Sequence, residues 1–397
     1  MDDSMVMMAQ SEGLSRQKWE YEIERTGYSD LLAMGTADMD YRAPEPILRS
    51  LRNVLDRGHL GYPYLTDDYF RAIEDWLMRA TSWKIKARSS VANSVGVYMS
   101  AWTAISLLTV PGDRIAILTP VHFCFKKMIS MNNRAVVECP LSLKGNRYEV
   151  DYAHLDACLK SNVKILWLCN PHNPVGRVWS KEELEIIGSL CIKNNVLIIS
   201  DDVYCGLLFP GISYTPIASL SNEISRHTIT LYSTSKSYNT TGLRHSFVVT
   251  ENLEMFLGYE EALARCDLDY GVNIMGTAAT IAAFNECDPW LSQLMQGIET
   301  HHSYITHYIA EYMPTLQVVQ SEGTYFAWID MRSMGLDSQK LSFLIEQEEH
   351  LIVENGLHQG KGGGGFIRMN LATSKQNIEE GVRRLRAFWE RRQARTN

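Results

Sequence analysis

The chain has 397 residues, 38 of them Lys or Arg against 46 Asp or Glu, for a formal net charge of -8. That length passes the size at which a single hydrophobic core stops growing, and an acidic balance without a basic stripe argues against nucleic acid as the main partner. No apolar run approaches a membrane span, and Met1 to Gln10 has acids near its start and no apolar core, so a cytoplasmic protein without a secretory signal is expected.

Residues 1–50 read as an N-terminal arm that also joins a smaller unit, 51–290 as a large domain, and 291–397 as a small C-terminal α+β domain. In the arm, Ala37-Asp38-Met39-Asp40-Tyr41 leads to Ala43-Pro44-Glu45-Pro46, where the prolines impose an extended entry and then a short helix. Apolar residues recur at helical spacing from Asp67 to Ala80. A second helix is expected over Val97 to Leu108, stopped by Pro111-Gly112, so that two helices precede the first strand.

Short apolar runs then alternate with helical segments: Arg114 to Leu118, Ala135 to Cys139, Val163 to Cys169, Val196 to Ser200 and Thr228 to Tyr232. That alternation predicts an α/β fold with a mostly parallel central sheet flanked by helices. Ser180 with Glu183 predicts a capping box opening a helix over Lys181 to Asn194. A largely helical stretch from Asn252 to Met313 is followed by strands at Leu316 to Val319, Thr324 to Ile329 and Phe366 to Leu371, with helices near Ser338 to Glu348 and at the end of the chain. Eight cysteines without a C-x-x-C pair read as reduced core residues, and His301-His302 as a pair on a helix surface without metal-ligand companions.

In an open parallel sheet, ligands gather beyond the carboxyl ends of the strands. Ser233-Thr234-Ser235-Lys236 follows one such end, with Arg244 behind it; a lysine becomes nucleophilic only when burial or a nearby cation lowers its pKa. Asp201 follows Ser200, where a carboxylate can either hold a ring nitrogen protonated or cap a helix. Asn173, in Asn170-Pro171-His172-Asn173-Pro174-Val175-Gly176, can donate to a ligand or serve its own turn. His122 follows a further strand and can stack on a ring; an imidazole titrates near neutral pH by default. Gly96, Val97 and Tyr98 open a helix, whose free N-H groups can bind an anion or simply precede a buried helix. Arg368 is a charge in an apolar strand and would suit a carboxylate.

Together with Lys18-Trp19, Ala37-Asp38-Met39-Asp40, Gly61-Tyr62, Ser235-Lys236 to Gly242, Gly323-Thr324-Tyr325 and Gly365 to Asn370, these motifs resemble the fold type I pyridoxal phosphate enzymes of the class I/II aminotransferase superfamily, in particular the MalY/PatB group of cystathionine β-lyases. The resemblance implies pyridoxal 5'-phosphate as cofactor and Lys236 as its Schiff-base lysine and proton shuttle. It implies Asp201 on the pyridine nitrogen, Asn173 and Tyr204 on the phenolic oxygen, and His122 in the ring-stacking place. The phosphate would be held by the Gly96 to Tyr98 backbone, Ser233 and Arg244, with Tyr62 reaching it from the second subunit of a homodimer and Ser235 also binding the cofactor. Arg368 would hold the substrate carboxylate. His122 stands where the group usually has Tyr, Tyr204 where β-lyases often have His, and Gly356-Leu357-His358-Gln359 replaces a more aromatic stretch. The expected activity is carbon-sulfur β-elimination from a sulfur amino acid. The alternatives are an aminotransferase and a cofactor-bearing regulatory protein with little turnover.

Overall fold

The computed structural model describes residues 5–10, 13–269 and 273–396. Its larger sheet contains β1 (Val91–Ser94), β2 (Arg114–Thr119), β3 (Ala135–Pro140), β4 (Val163–Cys169), β5 (Leu197–Asp201), β6 (Thr228–Tyr232) and β7 (Ser246–Val249). They lie in the order β1-β7-β6-β5-β4-β2-β3. β2 to β6 pair in parallel, and β7 runs antiparallel to both its neighbours.

The parallel strands are apolar almost throughout because both faces are covered. Their period of two divides them between two cores. Leu166, Leu168 and Ile198 face one, and Ile165, Trp167, Ile199 and Leu231 face the other. The first core is closed by the helix Lys181–Lys193, which opens with the expected capping box and buries Leu184, Ile187 and Cys191 at i, i+3 and i+7. The second is closed in part by Val97–Leu108, which buries Ala101, Ala104 and Ile105.

The expectation that two helices precede the first strand is corrected, since β1 lies before Val97–Leu108. Val91-Ala92-Asn93-Ser94 is too short and polar to read as a strand alone, and its partner is β7, about 155 residues away in sequence. The helical stretch after Asn252 resolves into Leu253–Ala264, Ile274–Glu286 and Asp288–Tyr312; its portion at 270–272 lies outside the described residues. His302, expected on a surface, is buried beside Phe209, while His301 is partly buried and its Nδ1 lies 3.0 Å from the Leu371 carbonyl.

A second, antiparallel sheet has the order β8 (Gln317–Val318), β9 (Phe326–Asp330), β11 (Phe366–Asn370) and β10 (Glu354–Asn355). β9 starts two residues later than expected because Thr324 holds a φ of 67°, outside strand geometry. The helices Asp288–Tyr312, Leu341–Glu349 and Lys375–Thr396 pack around this sheet. The arm joins the same unit, with Leu32 and Ala33 pairing in parallel with Leu351 and Ile352.

Candidate active site

Because β4, β5 and β6 are parallel neighbours, their carboxyl ends share one edge of the sheet. Asp201 ends β5, the turn carrying Asn173 follows β4, and Lys236 lies four residues beyond β6. The segment after β2 reaches the same place, where the His122 amide donates to the Asn173 carbonyl at 3.1 Å.

The arm closes over this edge. Lys236 Nζ donates to the Ala37 carbonyl at 2.9 Å, and Arg368 Nη2 to the Gly35 carbonyl at 2.9 Å. Asn370 Nδ2 donates to the carbonyls of Thr36 and Asp38, each at 2.7 Å. The segment 35–38 is therefore stitched between the two sheets. Behind it, buried Asp40 accepts from Lys18 Nζ at 2.9 Å, Arg16 Nη2 at 2.7 Å and Trp19 Nε1 at 2.7 Å. These contacts give the Lys18-Trp19 and Ala37 to Asp40 motifs a common purpose.

Burial lowers the Lys236 pKa to about 8, with Arg368 adding to the shift and Asp38 and Asp201 opposing it. About a tenth of the amine is therefore neutral at pH 7, and half at pH 8. Asp201 is 6% exposed, and burial raises its pKa to about 7; the Val203 amide, at 3.4 Å, compensates only weakly. A buried carboxylate so lightly bonded favours a cationic N-H partner.

Asn173, Tyr204 and Arg368 form a chain. Arg368 Nη1 donates to Asn173 Oδ1 at 3.0 Å, and Asn173 Nδ2 to the Tyr204 hydroxyl at 3.3 Å. The Arg368 guanidinium lies 4.1 Å from the centroid of the Phe326 ring, is 1% exposed, and leaves its Nε without a protein acceptor. Glu354, directly across from it on β10, approaches Nη2 only to 3.9 Å. A buried guanidinium with unused donor capacity fits an arriving carboxylate.

The expectation that His122 titrates near neutral pH is corrected. Burial first, and then Arg368 and Lys236, push its pKa down to about 3, so the ring stays neutral through the physiological range.

At the other end of the site, Gly96 has φ 85° and no side chain caps the helix Val97–Leu108. A Cβ added to Gly96 would lie 3.9 Å from Arg244 Cα and 4.0 Å from its Cδ, so the exposed Arg244 flanks an open helix N-terminus. Ser233 already uses its hydroxyl, donating to the His245 carbonyl at 2.6 Å and accepting from the Ser235 amide at 3.1 Å. It orders the Ser235-Lys236 turn, while Ser235 itself remains partly exposed. Tyr62 stands apart from these groups and is 90% exposed.

The described residues thus offer a neutralisable amine, a buried acid, two donors for an oxygen and a cationic helix start. This set fits a phosphorylated pyridine aldehyde. Several neighbouring residues escaped the sequence reading: Cys124, whose charge acts on Lys236, and Glu354 and Phe326 beside Arg368. The Gly323-Thr324-Tyr325 motif could have led to Phe326; Cys124 and Glu354 have no comparable local signal.

Residues 30–385 match the family model for aminotransferase class I and II. The chain is 32% identical over 376 residues to cystathionine beta-lyase PatB of Bacillus subtilis, covering 94% of this chain and 97% of that protein. It is 30% identical to protein MalY of Escherichia coli, over 92% of this chain and 93% of that one. The structure of cystalysin from Treponema denticola, which contains a pyridoxal 5'-phosphate cofactor, superposes with a TM-score of 0.92 at 27% identity and covers 98% of each chain.

Proposed function

The chain belongs to the aminotransferase class I and II family, and on that premise we propose that it is a pyridoxal phosphate-dependent carbon-sulfur β-lyase acting on a sulfur amino acid. The observation that carries the reading is the joining of Lys236 and Arg368 by one arm segment, with Asp201 acting on Lys236, in a chain that matches a cystathionine beta-lyase over 94% of its length. When bound, pyridoxal phosphate supplies an aldehyde for amine exchange and a protonated ring that draws electrons from the substrate Cα.

The chain's own groups do the rest. Lys236 would hold the cofactor and, in neutral form, remove the Cα proton; its pKa of about 8 keeps a usable base population. Asp201 keeps a proton at the ring nitrogen, and Asn173 and Tyr204 donate to the phenolic oxygen. Val97 and Tyr98 amides behind Gly96, together with Ser235 and Arg244, hold the phosphate, and Ser233 positions the turn. The Arg368 fork aligns the α-carboxylate so that the Cα-H bond faces Lys236. His122, neutral, covers the ring without competing for its electrons. The protonated Lys236 can then give its proton to the departing sulfur, leaving pyruvate and ammonia after addition of water.

Two subunits complete the site in this reading. Tyr62 and Tyr64 are 90% and 80% exposed beside an apolar groove of about 520 Å³ between Glu45–Asp56 and Ile274–Glu286. Such a groove suits a second copy that contributes Tyr62 to the neighbouring phosphate. Among the described residues no helix is long and apolar enough to cross a membrane; free cysteines fit a reducing, cytoplasmic setting. Residue assignment is tested by borohydride reduction of the cofactor-loaded protein followed by peptide mapping. The adduct is expected on Lys236, and an adduct on another lysine would contradict the assignment.

A further inference from the structure

The turn after β4 carries a buried imidazole with no part in the chemistry above. His172 is 0% exposed, and its Nε2 lies 2.9 Å from the Pro120 carbonyl. A carbonyl oxygen only accepts, so Nε2 carries the proton, and in the neutral ring Nδ1 is left as an acceptor without a protein partner. An apolar side chain would strand no nitrogen there; what the imidazole adds is the bond to Pro120. The turn itself is firmly held. The His172 amide donates to the Arg177 carbonyl at 2.7 Å, and the Gly176 amide to the His172 carbonyl at 2.8 Å. Buried Arg177 is in turn paired with Glu322 at 2.9 Å and Glu183 at 2.7 Å.

The segment 120–122 leans on this turn at both ends. His172 holds the Pro120 carbonyl, and the Asn173 carbonyl accepts from the His122 amide at 3.1 Å; between them the Val121 amide donates to the Gln359 carbonyl at 2.8 Å. His172 and Asn173 are consecutive, so one turn carries both the Asn173 side chain, bonded to Arg368 and Tyr204, and the bond that sets where His122 stands. We propose that His172 is a positioning residue for the cofactor: it fixes the place of the ring cover His122 relative to the oxygen donor Asn173, and so the seat of a planar ring. It acts through His122 without touching the cofactor, and the inference rests on the pyridoxal phosphate reading given above.

The test reads the cofactor rather than turnover. Dissociation of pyridoxal 5'-phosphate from the loaded protein gives its affinity, and the visible circular dichroism of the bound cofactor reports how the ring is seated. His172→Leu should raise the dissociation constant about tenfold and weaken the band, because the Pro120 carbonyl loses its donor. His172→Gln, which carries an N-H at the reach of Nε2, should bring both to within about threefold of the wild type, and the shorter His172→Asn should not. Since His172 acts through His122, adding His172→Leu to His122→Ala should change the dissociation constant by less than about twofold further. Losses that simply add in the double variant, or Asn and Gln variants that bind and seat the cofactor alike, would overturn the proposal. The Asn and Gln comparison decides even if the Leu variant does not fold. These outcomes are the same whether the chain eliminates or transaminates, so failure of the β-lyase reading leaves them standing; failure of the wild type to bind the cofactor would overturn both.

Discussion

At the scale of single residues, two buried groups set the charge logic. Lys236→Ala is expected to lose the borohydride-reducible adduct and at least about 1,000-fold in turnover, since it removes both attachment point and base; near-normal turnover in a folded variant would contradict this. Asp201 titrates near 7 in the folded chain, against about 3.9 for an unfolded carboxyl. Between those values the folded state binds more protons, so the Asp201 contribution to stability falls as pH rises through that window and leaves an uncompensated carboxylate above it. Asp201→Asn should therefore melt no lower than the wild type in cofactor-free form at pH 8, yet gain less from cofactor and lose about 100-fold or more in turnover. Calorimetry of both forms measures the difference. An equal gain on cofactor binding would remove Asp201 from the ring nitrogen. For His122, the depressed pKa predicts that His122→Tyr leaves the shape of the pH-rate profile between pH 6 and 9 unchanged. Disappearance of an inflection near 6.5 would show that the imidazole does titrate.

At the scale of elements, the arm is a structural device with a functional edge. Removing the carboxylate by Asp40→Ala leaves Lys18, which is 1% exposed, with the Asp38 carbonyl but without its ion-pair partner, and should cost about 3–5 kcal/mol in denaturant unfolding. Adding Lys18→Met should restore part of it; no recovery would mean that Asp40 acts through Arg16 and Trp19 instead. The same elements explain what could be read from the chain alone. β4 and β6 were legible because strands buried on both faces are continuous apolar runs, and the positions after them, Asn173 and Lys236, followed from the rule of strand ends. Arg368 stood out as a charge among apolar neighbours. β1 and β7 were not legible, because four residues become a strand only through pairing across the fold. Glu354, Cys124 and the Gly35 carbonyl reach the site by tertiary contact, and nothing in their local sequence announces it. The low pKa of His122 depends on burial and on two distant cations, so the default imidazole value misled.

At the scale of the whole molecule, the proposed β-lyase needs two subunits and an elimination. If Tyr62 serves the neighbouring site, unfolding and refolding a mixture of Tyr62→Ala and Lys236→Ala chains should yield more activity than either parent, because one site of each mixed dimer keeps both residues. A strictly additive result, or a monomer in sedimentation, would put Tyr62 outside the site. Lys236, Asp201 and Arg368 would serve transamination as well as elimination, so product balance decides between them. The most direct measurement gives the cofactor-loaded protein cystathionine or another cysteine S-conjugate with no keto acid and follows thiol, pyruvate and ammonia over many turnovers. Sustained release of all three in equal amounts is predicted; release of none across a range of sulfur amino acids, with turnover beginning only when a keto acid is added, would contradict the account.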